Sequence, residues 1–394
     1  MAADNPSPPE RPIYLDHHAT TPLDERVLEA MLPYLREEFG NAASRTHVYG
    51  WRAEAAVEDA RERLGEMLGA RDPAELVFTS GATESNNLAI LGLAEARRRK
   101  NHLITVETEH PSVLDPCRAL ARRGFDLTEL PVDETGAVSV ARVEAAIRDE
   151  TLLVSVMAAN NEIGVLSPIR EIGELCRDRG IPFHSDAAQA AGKIELDVDR
   201  DGLDLCSVSG HKIYGPKGIG LLRVRKTGRK RPRLEPRQYG GGHEGGLRSG
   251  TLPVPLIVGL ARALELCLEE REAEAERLGA LRDRLRREIE TALPGRVLLN
   301  GDAARRLPGN LNLSFRGVDG DRLIADLAGI AVSSGSACSS AEPGPSPVLL
   351  ALGREPDLAK ASLRFGLGRG TTLEDVIWAA RRVVEAVGRQ APSG

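Results

Sequence analysis

The stretch SVSGHKIYGPKGIG, residues 207–220, decides the fold because it joins two short apolar runs through a glycine-rich turn. The glycines at 210 and 215 have the spacing of a nucleotide-binding phosphate loop, but Pro216 stands where that loop requires its lysine. What remains is a predicted strand that ends at Ser209 and is followed at once by His211 and Lys212. A hydroxyl and an imidazole beside a lysine suit a ligand that has a phosphate and forms an imine. For this segment alone, an exposed lysine on a surface turn is an equally good interpretation.

Apolar runs and amphipathic stretches alternate on the N-terminal side of this motif. Runs that are apolar throughout predict strands buried on both faces, and their alternation with helices predicts a parallel sheet between two layers of helices. One amphipathic stretch predicts a helix over 168–179. The predicted strands are ELVFTS (75–80), HLITVE (102–107), LLVSVMA (152–158), IPFHSDA (181–187), LDLCSVS (203–209) and IGLLRV (219–224).

The sequence pattern changes after about residue 255. A long charged helix is predicted over 256–291, followed by short apolar runs and a final helix over 373–388, which together indicate a smaller α+β domain. We therefore predict an α/β protein in which residues 13–258 form a large domain and residues 259–394 form a small C-terminal domain. The first 15 to 20 residues of the large domain could pack with either one. Residues 1–12 are predicted to be a disordered tail, because their Pro, Ser and Asp content cannot bury apolar area.

The charge balance excludes several classes of partner. The 394 residues include 52 Lys and Arg against 58 Asp and Glu, which gives a net charge of −6. This balance gives no electrostatic reason to expect nucleic acid or an anionic membrane as a partner. No apolar run reaches the roughly 18 residues that a membrane helix needs. One basic run, RVRKTGRKRPR at 223–233, predicts a solvated loop or hairpin, with a docking patch for an acidic partner as the alternative.

The cysteines are scattered, at positions 117, 176, 206, 267 and 338, and form no C-x-x-C pair. A zinc site or a redox pair therefore has no support, and we predict no metal site. An odd number of cysteines with this spacing suits a reducing compartment. The N-terminus carries acidic residues and prolines and has no apolar segment of the kind a signal peptide needs. We therefore expect a cytoplasmic protein.

A carboxylate and an amide follow another of the predicted strands. Asp186 comes just after an apolar run, where a carboxylate could keep the pyridine nitrogen of pyridoxal phosphate protonated and make the ring an electron sink. Gln189, three residues later, could reach the ring hydroxyl. A helix-capping role for Asp186 is the alternative.

Two further strand ends carry residues that suit the same cofactor. The stretch TSGATESNN at 79–87 runs from a strand into a helix, whose free N–H groups attract a phosphate, although capping alone explains Thr83 and Glu84. His110 could stack on an aromatic cofactor or carry a proton, although a lone histidine there is more often structural. The carboxyl ends of parallel strands form the edge where α/β sheets bind ligands. A purely structural role can explain each of these residues taken singly. It does not readily explain why all of them follow successive strands of one sheet, so we predict a pyridoxal-phosphate site at this edge.

Motifs of a known family are spread along the chain from about residue 13 onward. They include IYLDHHATTPLDERV (13–27), VFTSGATESNN (77–87), TEHPSVLDPC (108–117), SGHKIYGPKGIG (209–220), GGGHEGGLRSGT (240–251) and VSSGSACSS (332–340). The sequence therefore resembles the cysteine desulfurases, which are fold-type I pyridoxal-phosphate enzymes of the aminotransferase superfamily. The resemblance implies a large cofactor-binding domain with a mainly parallel sheet between helices, and a small α+β domain that carries a cysteine loop. The SSGSAC motif with its long following loop resembles the members that supply sulfur for iron–sulfur cluster assembly.

For the cofactor, the resemblance implies one role for each of four side chains. Lys212 would form the Schiff base with pyridoxal phosphate, and His110 would stack on the ring and help to move protons. Asp186 would bind the pyridine nitrogen, and Gln189 would bind the ring hydroxyl.

The phosphate would be held by residues from two subunits. Thr251 would reach the phosphate that is bound in the neighbouring subunit, which implies a homodimer with shared active sites. The residues implied to hold the phosphate within one subunit are Ala82, Thr83, Ser209 and His211.

For the reaction, the resemblance implies conversion of L-cysteine to L-alanine. Asn161 would contact both cofactor and substrate, and Arg364 would pair with the substrate carboxylate in a bidentate manner. Cys338 would be the nucleophile, would carry the sulfur as a persulfide to an iron–sulfur scaffold protein or a thiolation pathway, and could contact a cluster transiently. Its thiol must lose a proton to react, and His110 is our candidate to take it.

Two alternatives stay open. The chain could be a selenocysteine lyase or another aminotransferase-like enzyme with the same cofactor, in which Cys338 has no catalytic role. It could also be a binding or scaffold protein that has the fold but no cofactor.

Overall fold

The structure, a computed structural model, describes residues 12–96, 100–226, 231–334 and 344–390. Cys338 lies outside the described residues, as does the predicted tail except for its last residue. The strands are β1 (Ile13–Tyr14), β2 (Leu76–Thr79), β3 (His102–Val106), β4 (Asp126–Leu130), β5 (Thr151–Ser155), β6 (Phe183–Asp186), β7 (Leu205–Ser209), β8 (Gly220–Val224), β9 (Val297–Leu299), β10 (Asn310–Phe315), β11 (Ile330–Ala331), β12 (Ser333–Ser334) and β13 (Ser362–Gly366). The α-helices are α1 (Glu25–Arg36), α2 (Val48–Leu68), α3 (Ala82–Ala96), α4 (Pro111–Ala121), α5 (Val140–Ala146), α6 (Ile169–Arg179), α7 (Val254–Ala292), α8 (Gly320–Asp326), α9 (Pro347–Ala351), α10 (Pro356–Lys360) and α11 (Leu373–Gly388).

A seven-stranded sheet has the strand order β2-β8-β7-β6-β5-β3-β4. Strands β3 to β7 pair in parallel, whereas β8 pairs antiparallel with both β7 and β2. Because β8 alone is reversed, β2 runs in the same direction as β3, β5, β6 and β7. This arrangement confirms the predicted α/β fold with a mainly parallel sheet, and it brings the carboxyl ends of those five strands to one edge.

Helices cover both faces of this sheet, because successive strand residues point to opposite sides. Phe78 and Ile104 belong to an apolar cluster with α2 and the first part of α7. Their neighbours Val77 and Leu103 belong to a separate cluster with α3 and α4. Burial on both sides explains why the strand sequences are apolar throughout.

A second, antiparallel sheet has the order β12-β13-β10-β9. It packs with α11 and the last part of α7 around its own apolar core, which also includes Ile13 and Leu15. Strand β1 pairs with β11 beside that core. Helix α7 has 39 residues and is therefore about 58 Å long, so one helix contributes to the cores of both sheets.

The predicted helices over 168–179, 256–291 and 373–388 are confirmed as α6, α7 and α11, with ends that differ by two residues at most. None of the helices in the described ranges is both long enough and apolar enough to cross a membrane.

The first arginine of the basic run 223–233 is not solvated, contrary to the sequence prediction. Arg223 lies on β8 and is fully buried. Its guanidinium pairs with Glu75 at 2.8 Å and with Asp199 at 2.5 Å. Arg225 also forms an ion pair, with Asp204 at 2.6 Å. Arg223 is therefore part of the folded sheet, and Arg225, just after β8, is held in an ion pair, so neither belongs to a docking patch.

We expect Glu75→Ala to destabilise the protein by about 3 kcal/mol, because it breaks a buried ion pair. This value is near the lower end of the range for such pairs, since Asp199 still pairs with Arg223 in the variant. Chemical denaturation of the two proteins measures the difference. The control is Glu129→Ala, which breaks the more exposed pair with Arg118 and should cost less than about 1 kcal/mol. Equal effects of the two substitutions would contradict the assignment of a buried, stabilising pair.

Candidate active site

The carboxyl ends of the parallel strands surround a cleft of about 640 Å³. It lies at the sheet edge where α/β proteins bind ligands. Ten of the predicted site residues line it: Ala82, Thr83, His110, Asn161, Asp186, Gln189, Ser209, His211, Lys212 and Arg364. The structure therefore brings together residues that are separated by up to 282 positions in the chain.

One end of the cleft is a cradle of hydrogen-bond donors. The chain leaves β2 through Gly81, whose φ of +151° favours glycine, and α3 begins at the next residue. The first N–H groups of α3, including those of Ala82 and Thr83, have no partner within the helix and can bind an anion. Ser209 and His211 line the same cleft. Burial is the main cause that lowers the pKa of His211 to about 4, and the charge of Lys212 is the next largest. The His211 imidazole is therefore neutral at pH 7.

Asp186 is the last residue of β6 and is buried beneath the cleft. One carboxylate oxygen accepts a hydrogen bond of 2.7 Å from Asn86 Nδ2, and the other accepts one of 2.9 Å from the backbone N–H of Ala188. These donors fix the plane of the carboxylate, which can then meet a protonated ring nitrogen in the cleft.

His110 is connected to the same carboxylate through two side chains. Asn86 Nδ2 also donates to Ser112 Oγ at 2.8 Å, and Ser112 Oγ lies 2.8 Å from His110 Nδ1. The backbone N–H of Ser112 donates to that Nδ1 as well, at 3.1 Å. Burial lowers the pKa of His110, so the ring is neutral near pH 7. Because Nδ1 accepts, the network assigns the proton to Nε2, and the neutral ring is a hydrogen-bond donor at that atom.

Lys212 follows β7 in a single turn of 3₁₀-helix, Gly210–Lys212. Its Nζ donates to the carbonyl oxygens of His18 and Ala19, each at 2.7 Å. The carbonyl of His18 also accepts a hydrogen bond of 2.9 Å from Gln189 Nε2. The N-terminal segment therefore holds both the lysine and the amide in place.

Arg364 comes from β13 of the second sheet and is buried. One of its terminal nitrogens donates to Asp16 Oδ1 at 2.8 Å and to Ser333 Oγ at 2.9 Å. The other donates to the carbonyl oxygen of Asn161 at 3.1 Å. These contacts orient a buried guanidinium in the wall of the cleft, where it can bind a carboxylate.

Among the predicted site residues that the structure describes, Thr251 is the one that does not line the cleft. Its side chain is exposed, at the end of the GGGHEGGLRSGT loop. Two ion pairs, one buried and one half-buried, fasten this loop to α2, β2 and α3 of its own subunit. Glu244 pairs with Arg61 at 2.8 Å and accepts from the N–H of Phe78, and Arg248 pairs with Glu84 at 2.9 Å.

All the described cysteines are unsuited to act as nucleophiles. They are buried, and burial raises the pKa of three thiols to about 12 and that of Cys267 to about 11. A thiol reacts as its thiolate, so these four are unreactive at neutral pH. The described cysteines are Cys117, Cys176, Cys206 and Cys267.

The sequence analysis missed Asn86, Ser112 and His18. Asn86 is fully buried within the apolar face of α3, one turn after the cradle, and a polar residue at such a position is the signal that could have found it. Ser112 follows His110 by two residues and could have been recognised as a helix-capping partner. For His18 no local signal exists, because its partner Gln189 is 171 residues away in the chain.

Comparisons with known proteins identify the family. A model of the aminotransferase class-V family matches residues 13–377. A human cysteine desulfurase is 53% identical over 389 residues, which are 98% of this chain and 84% of the relative. The cysteine desulfurase IscS of Anaeromyxobacter sp. strain Fw109-5 is 54% identical over 377 residues, which are 95% of this chain and 92% of the relative. The chain belongs to the cysteine desulfurases of the aminotransferase class-V family.

Solved structures support the same assignment. A NifS-like protein superimposes with a TM-score of 0.88 and 35% identity, over 96% of this chain and 100% of that one. A structure described as SspA in complex with cysteine gives a TM-score of 0.80 and 39% identity, over 90% of this chain and 98% of that one.

The cofactor of this enzyme family is pyridoxal 5'-phosphate, and the cleft fits it. Donors for a phosphate lie at one end, the carboxylate of Asp186 lies beneath, and the amine of Lys212 reaches the same space. His18 Nε2 is buried and has no hydrogen-bond partner among the described residues, as expected for a site built to enclose a polar group.

We expect Asn86→Ala to weaken the binding of pyridoxal phosphate about 10-fold, because Asp186 loses a charge-assisted hydrogen bond. Titration of the apoenzyme with the cofactor, followed by absorbance, measures the affinity. Asn87→Ala is the matched control, since the Asn87 side chain donates only to the backbone of its own helix. Unchanged affinity in Asn86→Ala would show that this amide does not support the Asp186 carboxylate in binding the cofactor.

Proposed function

We propose that this enzyme removes the sulfur of L-cysteine, releases L-alanine, and carries the sulfur as a persulfide on Cys338 to an acceptor. The observation that carries the proposal is that Lys212, Asp186 and Arg364 line one cleft. An amine, a carboxylate and a guanidinium there match the aldehyde, the ring nitrogen and the substrate carboxylate of an amino-acid reaction that depends on pyridoxal phosphate. The relatives named cysteine desulfurase supply the substrate.

When bound, the cofactor accepts electrons from the substrate Cα, and the residues of the chain position the groups and move the protons. Lys212 Nζ, released when the substrate amine takes its place, removes the Cα proton. The carbonyl groups of His18 and Ala19 hold this Nζ by hydrogen bonds in the wall of the cleft. Arg364 binds the substrate carboxylate, and its contacts with Asp16 and Ser333 fix the guanidinium before the substrate arrives.

Cys338 takes the sulfur. Its thiolate attacks the substrate Sγ, an S–S bond forms, the Cβ–Sγ bond breaks, and its electron pair returns toward the substrate carbon, which a proton then completes as alanine. Cys338 is five residues beyond Ser333, a residue of the cleft wall, so the connecting chain spans at most about 17 Å. That reach is enough for the thiol to enter the cleft and to leave it.

The proton on His110 Nε2 changes the role that we propose for this residue. A neutral ring whose Nδ1 already accepts from Ser112 offers a hydrogen-bond donor at Nε2 and no free lone pair there to take a proton. We therefore propose that His110 donates a hydrogen bond to the reacting substrate, while the proton of the Cys338 thiol leaves to solvent.

We also propose a class of acceptor and a setting for the enzyme. The name IscS among them supports an acceptor in iron–sulfur cluster assembly or in a thiolation pathway. The free, buried thiols of the described cysteines suit a reducing, cytoplasmic setting.

We expect Cys338→Ala to keep the yellow colour of the bound cofactor and to lose sulfide release from L-cysteine by more than about 100-fold, because the nucleophile is gone. Lys212→Ala should lose both. Sulfide assays and visible absorbance measure the two properties, and Cys117→Ala is the control for loss of a thiol that the reaction does not use. Sulfide release that survives in Cys338→Ala would contradict the persulfide mechanism, and selective turnover of selenocysteine would favour a selenocysteine lyase.

The homodimer with shared sites is also part of the proposal. Thr251 is exposed on a loop that two ion pairs hold in place, so the loop can present its hydroxyl to a second subunit. Because Thr251 does not reach the cleft of its own chain, a phosphate contact from this residue requires a partner.

Mixed dimers test which site Thr251 serves. One chain carries Lys212→Ala, so that a single working site remains, in the other chain. Thr251→Ala placed in the Lys212→Ala chain should weaken cofactor binding at the working site about 10-fold, because one hydrogen bond to a charged group is lost. Thr251→Ala placed in the working chain should leave cofactor binding at that site unchanged. The reverse pattern would contradict the shared site, and a monomer in analytical ultracentrifugation would contradict the dimer itself.

A further inference from the structure

Gln189 has an amide whose orientation is fixed by two donors. Its Oε1 accepts from Lys193 Nζ at 2.9 Å and lies 3.0 Å from His18 Nδ1. Its Nε2 donates one hydrogen to the carbonyl oxygen of His18 at 2.9 Å. The side chain lines the cleft, so the second hydrogen on Nε2 is the one left for a ligand.

Lys193 acts with His18 to keep the amide from turning over. In its protonated form the lysine has three donors and no acceptor, so it can bond an amide oxygen but not an amide NH₂ group. Rotation of the Gln189 amide by 180° would place its NH₂ group against Lys193 and would present a carbonyl oxygen to the cleft. The contact with Lys193 therefore selects the orientation in which Gln189 is a donor to the ligand.

The surroundings of Lys193 make this contact costly to maintain. Burial lowers the pKa of Lys193 to about 7, and Lys212 and Arg364 lower it further while Cys267 and Glu274 raise it. Among the described residues no carboxylate forms an ion pair with Lys193. An amine buried beside other cations without a counter-ion lowers stability, and such groups concentrate at functional sites.

We propose that Lys193 is a positioning residue that holds the Gln189 amide with its N–H toward the ring oxygen of the cofactor. The proposal rests on the proposed function and on the contact with the ring hydroxyl that the family resemblance implies for Gln189. Lys212 Nζ, when bonded to the cofactor, would share a proton with that oxygen. An N–H donor draws electron density from the ring oxygen, which then holds the shared proton less tightly. Lys193 therefore lowers the pH at which that proton is lost.

The pH titration of the visible absorbance band of the holoenzyme tests this. Lys193→Met should raise the midpoint by about 0.5 to 1 pH unit, because the amide loses a contact that opposes turning its carbonyl toward the ring oxygen. Gln189→Leu should raise it as well. In the Gln189→Leu background, Lys193→Met should add less than half of its single effect, because the amide through which it acts is gone.

Lys217→Met is the matched control for loss of positive charge. Lys217 is an exposed lysine that lines the same cleft and has no contact with Gln189 among the described hydrogen bonds. It should move the midpoint by less than half of the Lys193→Met shift. A full Lys193→Met shift in the double variant, an equal shift in Lys217→Met, or no rise in Lys193→Met would each overturn the proposal.

A second variant tests the same idea with Lys193 in place, should Lys193→Met fail to fold. Gln189→Glu has carboxylate oxygens that accept from Lys193 and His18 but offer the ring oxygen no N–H donor. Its midpoint should rise at least as far as in Gln189→Leu, and a midpoint at or below that of the wild type would overturn the proposal. If the proposed function itself were wrong, the wild-type protein would show no visible absorbance band of a bound cofactor. That outcome differs from a failure of the proposal for Lys193, in which the band is present but its midpoint does not shift as expected.

Discussion

A sheet that is buried on both faces can present polar chemistry only at its ends, and this constraint organises the molecule. Strands β2, β3, β5, β6 and β7 run in one direction, so their carboxyl ends meet at one edge. Within the strands, polar side chains would meet helices on either face and would need partners there. The phosphate cradle after β2, His110 after β3, Asp186 at the end of β6 and Lys212 after β7 are consequences of this single direction.

The second sheet contributes to the cleft because the N-terminal segment connects it to the first. Gly366 N donates to the carbonyl of Leu15 at 2.7 Å, and His17 N donates back to Gly366 at 3.1 Å. A Cβ at position 366 would lie 2.8 Å from His17 N, so this close approach requires glycine. A few residues later, Thr21 Oγ1 donates to the carbonyl of His211 at 3.0 Å. The segment between these contacts lies across the cleft, and its carbonyl groups hold the catalytic lysine.

The sequence predicts the residues at strand ends well, because an apolar run and the motif that follows it are local features. It does not predict contacts that depend on how distant segments meet. Asn86 and Asp186 are 100 residues apart, and neither local pattern marks the other as a partner. Strand β4 was missed because four of its five residues are exposed or half-buried and give no apolar run. Arg223 was assigned to a solvated run because its buried partners, Glu75 and Asp199, come from separate parts of the chain.

The cleft is less negative than the chain as a whole. The protein carries −6, whereas the cleft wall balances Lys212, Lys217 and Arg364 against three carboxylates, those of Asp16, Glu84 and Asp186. A further cation, Lys193, lies behind Gln189, and Glu84 pairs with Arg248. Mutual repulsion of these cations is one cause of the lowered pKa of Lys193. A phosphate and a substrate carboxylate relieve that repulsion when they bind, so the fold holds its cations in place before the ligand arrives. The same arrangement that lowers the stability of the protein without ligands therefore raises its affinity for two anionic groups.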